Sequence, residues 1–167
     1  MQMPVEIAKL ANQAIAALKG KGLTIATAES CTGGLAAGAL TSVAGSSEAV
    51  YGGFVTYANE AKIAMVGVSF AQLREFGAVS KEVAAAMAEG AMNAAGTHIG
   101  VAITGIAGPD GGTDKKPVGL VYFAVATGEE TRHLKKTFDP NWSRDQIRKA
   151  SVIEALRLVL KAVKAAD

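Results

Sequence analysis

The sequence predicts an α/β fold, a three-layer sandwich in which helices cover both faces of a mixed, mainly parallel sheet. Three observations carry that expectation. Segments with helical apolar spacing alternate with short runs of strand composition. The run from Val118 to Ala126 is almost continuously apolar, as a strand covered on both faces would be. The strands that follow Gly119 are joined too closely for a parallel crossover, so at least one pair must be antiparallel.

Taken in order, Pro4 suits a first helical position, and Ile7, Leu10, Ala11, Ala14 and Leu18 recur at helical spacing until Gly20 and Gly22. A strand runs from Leu23 to Ala28, and a helix of small residues from Gly34 to Val43, closed by Gly45-Ser46-Ser47. The stretch VYGGFVTY, Val50 to Tyr57, has strand composition, and its two glycines signal a bulge or a close backbone approach. Short helices start at Asn59 and at Phe70. Ser80 caps a long helix with Glu82 in its first turn and a buried stripe of Ala84, Met87, Ala88 and Ala91, whose small side chains imply close packing on the sheet. Ile99 to Ile103 is a strand, followed by the loop TGIAGPDGGTDKKP from Thr104 to Pro117. Val118 to Ala126 is the next strand, Thr131 to Phe138 a more polar edge strand, and Asp145 to Ala165 a final helix with Ile153, Leu156, Leu160 and Val163 inward. No repeat or linker divides the chain, so residues 1–167 are expected to form one domain.

Composition removes whole classes of function. Half of the residues are apolar and 19% are charged, which places the chain among globular proteins. Seventeen basic against 15 acidic residues leave +2, and Lys115-Lys116 and Lys135-Lys136 are isolated pairs, so neither a nucleic acid nor an anionic membrane is an expected partner. The single cysteine, Cys31, excludes an intramolecular disulfide and fits a reducing compartment. The start MQMP lacks a charged n-region, and no apolar run approaches the roughly 18 residues of a membrane span. A cytoplasmic protein is expected.

In an open α/β sheet, ligands collect at the carboxyl ends of strands. Three loops qualify: Glu29 to Gly34, Tyr57 to Lys62, and Thr104 to Pro117. The first, within TAESCTGG, follows a strand with a serine, a cysteine, a threonine and two glycines, a pattern that supplies a nucleophile and backbone N–H donors for an oxyanion together. The competing reading makes Ser30 or Thr32 a helix N-cap. The third loop offers Gly105, Gly108, Gly111 and Gly112, either for close approach to a ligand such as a phosphate or as a connector; it matches neither the P-loop nor the dinucleotide fingerprint. His98 starts a strand at the wrong end and His133 lies in the edge strand, which disfavours a Ser-His-Asp triad. Lysine and tyrosine remain as bases for Ser30, and Tyr57 and Lys62 sit on the neighbouring loop. A lysine serves as a base only where burial or nearby positive charge lowers its pKa; otherwise Lys62 is a solvated helix lysine.

The segments AESCTGG, GSS, YGGFVTYANEAK, GAVS, TGIAGPDGG with KPVG, and RDQIRKASVIEAL occur in the order seen in the CinA C-terminal domain family, which this chain resembles from about Leu23 to Leu156. The resemblance implies a nicotinamide-nucleotide amidase, which hydrolyses the carboxamide of nicotinamide mononucleotide to nicotinate mononucleotide and ammonia. It also implies Ser30 as nucleophile, with Tyr57 and Lys62 as its activating partners. Many relatives carry an additional N-terminal domain, for which these 167 residues leave no room. Ala58 stands where the family pattern has a serine.

Combining both readings, Ser30 attacks the amide carbon, the N–H groups from Cys31 through Thr32 and Gly33 to Gly34 hold the oxyanion, and Lys62 with Tyr57 relays the proton to ammonia. Glu29 orients the start of the following helix or Lys62, and Cys31 is a packing residue. Gly45-Ser46-Ser47, the loop from Thr104 and Gly105 to Gly108, and Arg144 or Arg148 are candidates for substrate and phosphate contacts. No cofactor and no catalytic metal are expected; Glu29, Glu60, Asp110 and Asp114 are the carboxylates available to hold magnesium against a phosphate. Two alternatives stand beside this reading: a non-catalytic nucleotide-binding or interaction domain using Gly105 to Gly112, and an amidase for another small amide. A homo-oligomer is expected by analogy with the family.

Overall fold

The structure, a computed structural model, describes residues 2–166; residues 1 and 167 of the expected domain lie outside the described residues. Its elements are α1 (Val5–Gly20), β1 (Ile25–Glu29), α2 (Leu35–Thr41), β2 (Val50–Val55), α3 (Asn59–Val66), α4 (Phe70–Phe76), α5 (Lys81–Ala95), β3 (Ile99–Gly105), β4 (Leu120–Ala126), β5 (Thr131–Thr137) and α6 (Arg144–Ala165). The five strands form one sheet in the order β2-β1-β3-β4-β5. β1 pairs in parallel with β2 and β3, whereas β3-β4 and β4-β5 are antiparallel. The fold is therefore the expected α/β sandwich with a mixed sheet.

Strand alternation sorts side chains between two cores. Ile25, Ile99, Val101, Ile103, Val121, Phe123 and Val125 face the layer of α1, α2 and α6. Ala26, Ala28, Ala102, Ala124 and Ala126 face the other layer, dominated by α5. Small residues on both surfaces bring α5 close to the sheet: a Cβ on Gly100 would lie 2.0 Å from the Ala88 carbonyl oxygen. The edge strand β5 carries Arg132, Lys135 and Lys136, which discourages pairing with another sheet. Both expectations for Gly52-Gly53 are met. The β1-β2 register shifts beside Gly52, and a Cβ on Gly53 would meet Thr27 Oγ1 at 2.5 Å.

Some boundaries differ from the sequence reading. β4 begins at Leu120 rather than Val118, because Gly119 turns at φ +95° with its Cα against the Phe138 carbonyl. On α6, Leu156 and Val163 are buried as expected, but Ile153 and Leu160 lie at the margin while Val152, Ala155 and Val159 fill the core. Because β2, β1 and β3 are adjacent and parallel, the three loops singled out in the sequence leave the same edge of the sheet side by side.

Candidate active site

Ser30 is held at the mouth of the sheet by its neighbours on both sides. Its N–H donates to the Ile103 carbonyl (2.9 Å) on β3, and the Glu29 carbonyl accepts from Thr56 N–H (2.8 Å) beyond β2. Neither Ser30 nor Thr32 caps α2. The N-cap position is Gly34, at φ +98°, and the capping group is the Glu29 carboxylate. That buried carboxylate accepts from the N–H groups of Gly34 (3.1 Å), Ala36 (3.0 Å) and Ala37 (2.8 Å) and from the Thr32 hydroxyl (2.6 Å). An anion on three orphan N–H groups is a strong cap. It also corrects the expected oxyanion donors, because Gly34 is committed to Glu29 and Gly33 N–H donates to the Ser30 carbonyl (3.1 Å). Of the four N–H groups from Cys31 to Gly34, those of Cys31 and Thr32 have no acceptor among the described residues.

Lys62 reaches this point from the first turns of α3. Its side chain is among the largest fully buried ones, only 1% exposed, although it is charged in water. Nζ lies 3.1 Å from Ser30 Oγ, 2.7 Å from the Thr56 carbonyl oxygen and 3.3 Å from that of Tyr57, and no carboxylate pairs with it among the described residues. Burial disfavours the ammonium form and lowers the pKa below its ordinary 10.5. This is the environment a lysine base requires. Cys31 is the opposite case: burial pushes its thiol up to about 12, outweighing the pull of its own backbone N–H, so at neutral pH it is no thiolate.

Ser30, Cys31, Tyr57, Lys62, Thr104 and Arg144 all border one cavity of about 270 Å³, with the backbone of Gly105 and Gly108 beside them. The larger cavity, about 510 Å³, opens at the other end of the sheet beside His98 and contains no serine, cysteine or lysine. Within the smaller cavity, Tyr57 departs from its expected part. Its exposed phenol accepts from Arg144 Nη2 (3.2 Å), and it is the backbone carbonyl of Tyr57, not the hydroxyl, that meets Lys62. Arg144 also donates through Nη1 to the Gly108 carbonyl (2.9 Å), and among the described residues it is the one basic side chain besides Lys62 on the cavity wall.

Other expected contacts fall elsewhere. Gly45 and Ser46 precede β2, beside the start of β1, at the end of the sheet away from Ser30; Ser46 Oγ donates to the Thr41 carbonyl (3.4 Å). Thr32, Gly33 and Gly34 shape the turn without bordering the cavity. Gly105 and Gly108 border the cavity and also serve packing, because a Cβ on Gly105 would meet Val121 Cγ2 at 2.7 Å and one on Gly108 would meet Val118 Cγ1 at 2.6 Å. Gly111 (φ +91°) also borders the cavity, and a Cβ there would meet nothing closer than 3.9 Å. The Thr104 hydroxyl is spent on the Ala78 carbonyl (2.8 Å), which draws Ala78 and Val79 into the wall. Those two, with Asn59, Ile106 and Ala107, border the cavity without having been singled out from residue chemistry; the GAVS segment was the one signal for Ala78 and Val79. Among the described residues no group of three His, Cys, Asp or Glu side chains is placed to hold a metal ion.

Comparison with known proteins fits this geometry. The model of the CinA C-terminal domain family matches residues 7–163. The chain is 54% identical over 136 residues to a CinA-like protein of Geobacter sulfurreducens, covering 81% of this chain and 32% of that protein; it spans about a third of the length of such relatives. It is 47% identical over 153 residues to the nicotinamide-nucleotide amidohydrolase PncC of Escherichia coli, covering 91% of this chain and 92% of that one. The crystal structure of competence/damage inducible protein CihA from Agrobacterium tumefaciens superimposes with a TM-score of 0.93 at 46% identity, over 98% of this chain and 99% of the other. Matched from the first helix to the last in sequence, and along nearly its whole backbone in structure, the chain belongs to the CinA C-terminal domain family.

Proposed function

We propose that this protein is an amidase that hydrolyses the carboxamide of nicotinamide mononucleotide, with Ser30 as nucleophile and Lys62 as its base. The observation that carries the proposal is the buried lysine, without an acidic partner, 3.1 Å from a serine hydroxyl at the mouth of a cavity. The substrate assignment is supported by the likeness to the amidohydrolase of Escherichia coli, which spans nearly all of both chains.

A neutral lysine amine has two N–H donors and one lone pair. The carbonyls of Thr56 and Tyr57 occupy the donors, which leaves the lone pair for the proton of Ser30 Oγ. Lys62 takes that proton as Oγ bonds to the carboxamide carbon, and the oxyanion is received by the N–H of Cys31, at the cavity wall, with the Thr32 N–H next to it in the turn. As the C–N bond breaks, the Lys62 ammonium returns the proton and ammonia leaves. Water then attacks the seryl ester, giving its proton to Lys62, which passes it to the departing Ser30 oxygen. In this reading Arg144 exchanges its neutral partners, the Tyr57 phenol and the Gly108 carbonyl, for the substrate phosphate, and Tyr57 forms the wall beside it.

Ammonia release from nicotinamide mononucleotide by the purified protein tests the proposal. Ser30→Ala is expected to abolish turnover, while Cys31→Ala, which removes a protonated thiol, keeps most of it. A dead Cys31→Ala beside an active Ser30→Ala would reverse the assignment.

A further inference from the structure

Arg148, on the second turn of α6, sends both arms of its guanidinium into the turn after Ser30. Nε donates to the Cys31 carbonyl (3.0 Å) and Nη2 to the Thr32 carbonyl (3.1 Å). No carboxylate pairs with it among the described residues, so its charge is directed at two peptide groups. Gly33 suits this turn by its left-handed backbone (φ +58°), and a Cβ there would lie at ordinary contact distance, 3.4 Å, from Arg148 Nη2.

Peptide geometry carries the effect further. In a trans peptide the C=O and the N–H of the next residue point in opposite directions, and the only cis bond among the described residues is Gly108-Pro109. Holding the Cys31 carbonyl therefore turns the Thr32 N–H away from Arg148. Holding the Thr32 carbonyl turns the Gly33 N–H the same way, where it donates to the Ser30 carbonyl (3.1 Å). That bond in turn fixes the Ser30-Cys31 peptide and the Cys31 N–H on its far side. Two short relays thus run from one guanidinium through peptide groups and end on the two N–H groups of the turn that have no acceptor. Hydrogen bonds in such chains polarise one another.

We infer that Arg148 is a positioning residue of the amidase, which orients and polarises the N–H of Cys31 at the cavity wall, and that of Thr32 next to it in the turn, as oxyanion donors; the inference rests on Ser30 being the nucleophile. It assigns the donors to the turn and not to the N-terminus of α2, where Glu29 already sits. It also separates the two arginines of α6: Arg144 faces the substrate, and Arg148 acts through the backbone.

Steady-state kinetics on nicotinamide mononucleotide with Arg148→Ala and Arg148→Lys, with thermal unfolding as a check on folding, test this. Loss of properly aimed oxyanion donors lowers kcat by about 100-fold and leaves KM within a few-fold. Arg148→Lys, a point charge without the fork, remains well below wild type. Guanidinium ion at sub-denaturing concentration partly restores kcat in Arg148→Ala and not in Ser30→Ala. If Arg148→Ala does not fold, Arg148→Lys decides by the same split between kcat and KM. Unchanged kcat, a loss confined to KM, or a folded Arg148→Ala that guanidinium does not restore would overturn the assignment to Arg148 while leaving Ser30 in place. An active Ser30→Ala would overturn both.

Discussion

At the scale of single residues, Lys62 is where burial and chemistry meet. Its amine is enclosed with carbonyl and hydroxyl oxygens but no carboxylate, so desolvation pushes its pKa down. Activity should therefore rise with pH through an apparent pKa below 10.5, read from a profile of kcat/KM. Lys62→Arg should be nearly inactive, because guanidinium keeps its proton. The same shift has a consequence for stability. Between the lowered folded pKa and the unfolded value, the unfolded chain binds more protons than the folded one, so the lysine's contribution to stability rises with pH across that window. Unfolding temperatures of the wild type and Lys62→Met, compared from neutral pH up to about 10, should shift steadily in favour of the wild type. A difference that stays constant with pH would mean that Lys62 is charged in the folded protein.

At the scale of elements, α3 carries Lys62, the proposed base, behind a bare N-terminus. Ser69, Ser80 and Ser143 cap α4, α5 and α6 through their hydroxyls, and Glu29 caps α2 from a distance. Ala58, at the N-cap of α3, has the extended backbone of a capping residue (φ −78°, ψ 156°) and no side-chain oxygen. The serine of the family pattern thus reads as a cap. Ala58→Ser should let Oγ accept from an N–H of the first turn and add about 1 kcal/mol. For a chain of this size that raises the unfolding temperature by roughly 2–4 °C, measurable by calorimetry. The position of α3 is set from its other side, where a Cβ on Gly90 of α5 would lie 1.8 Å from the Val66 carbonyl oxygen. A glycine at this contact lets α3 sit close enough for Lys62 to reach Ser30.

At the scale of the whole molecule, the site depends on three parallel strands ending together. β2, β1 and β3 bring Tyr57, Ser30 and Thr104 to one edge of the sheet, and α6 closes that edge with Arg144 and Arg148. In the proposed mechanism this arrangement supplies a nucleophile, a base and oxyanion donors from the chain's own residues. Protein dialysed against a strong chelator should keep its rate of ammonia release in chelated buffer. A loss reversed only by a divalent ion would transfer part of the chemistry, or of phosphate binding, to a metal.

The order of elements and the three loops at the strand ends were legible in the sequence. Apolar spacing, capping serines and glycines act within a few residues, so local order encodes them; the helix after Ser80 and the strands around Ile99 and Val121 read directly. Ser30 and Lys62 could be named as candidates from residue type and from the family resemblance. What each group touches was decided by contacts between distant segments. Lys62 and Ser30 are 32 positions apart, Tyr57 and Arg144 87, and Arg148 and Cys31 117. Only the packed fold sends the Tyr57 phenol to Arg144, leaves Gly45 and Ser46 at the far end of the sheet, and commits Glu29 to α2. The physical reason is the reach of each interaction: periodicity and capping are satisfied along the chain, whereas a buried polar atom takes whichever partner the folded layers bring within hydrogen-bonding distance.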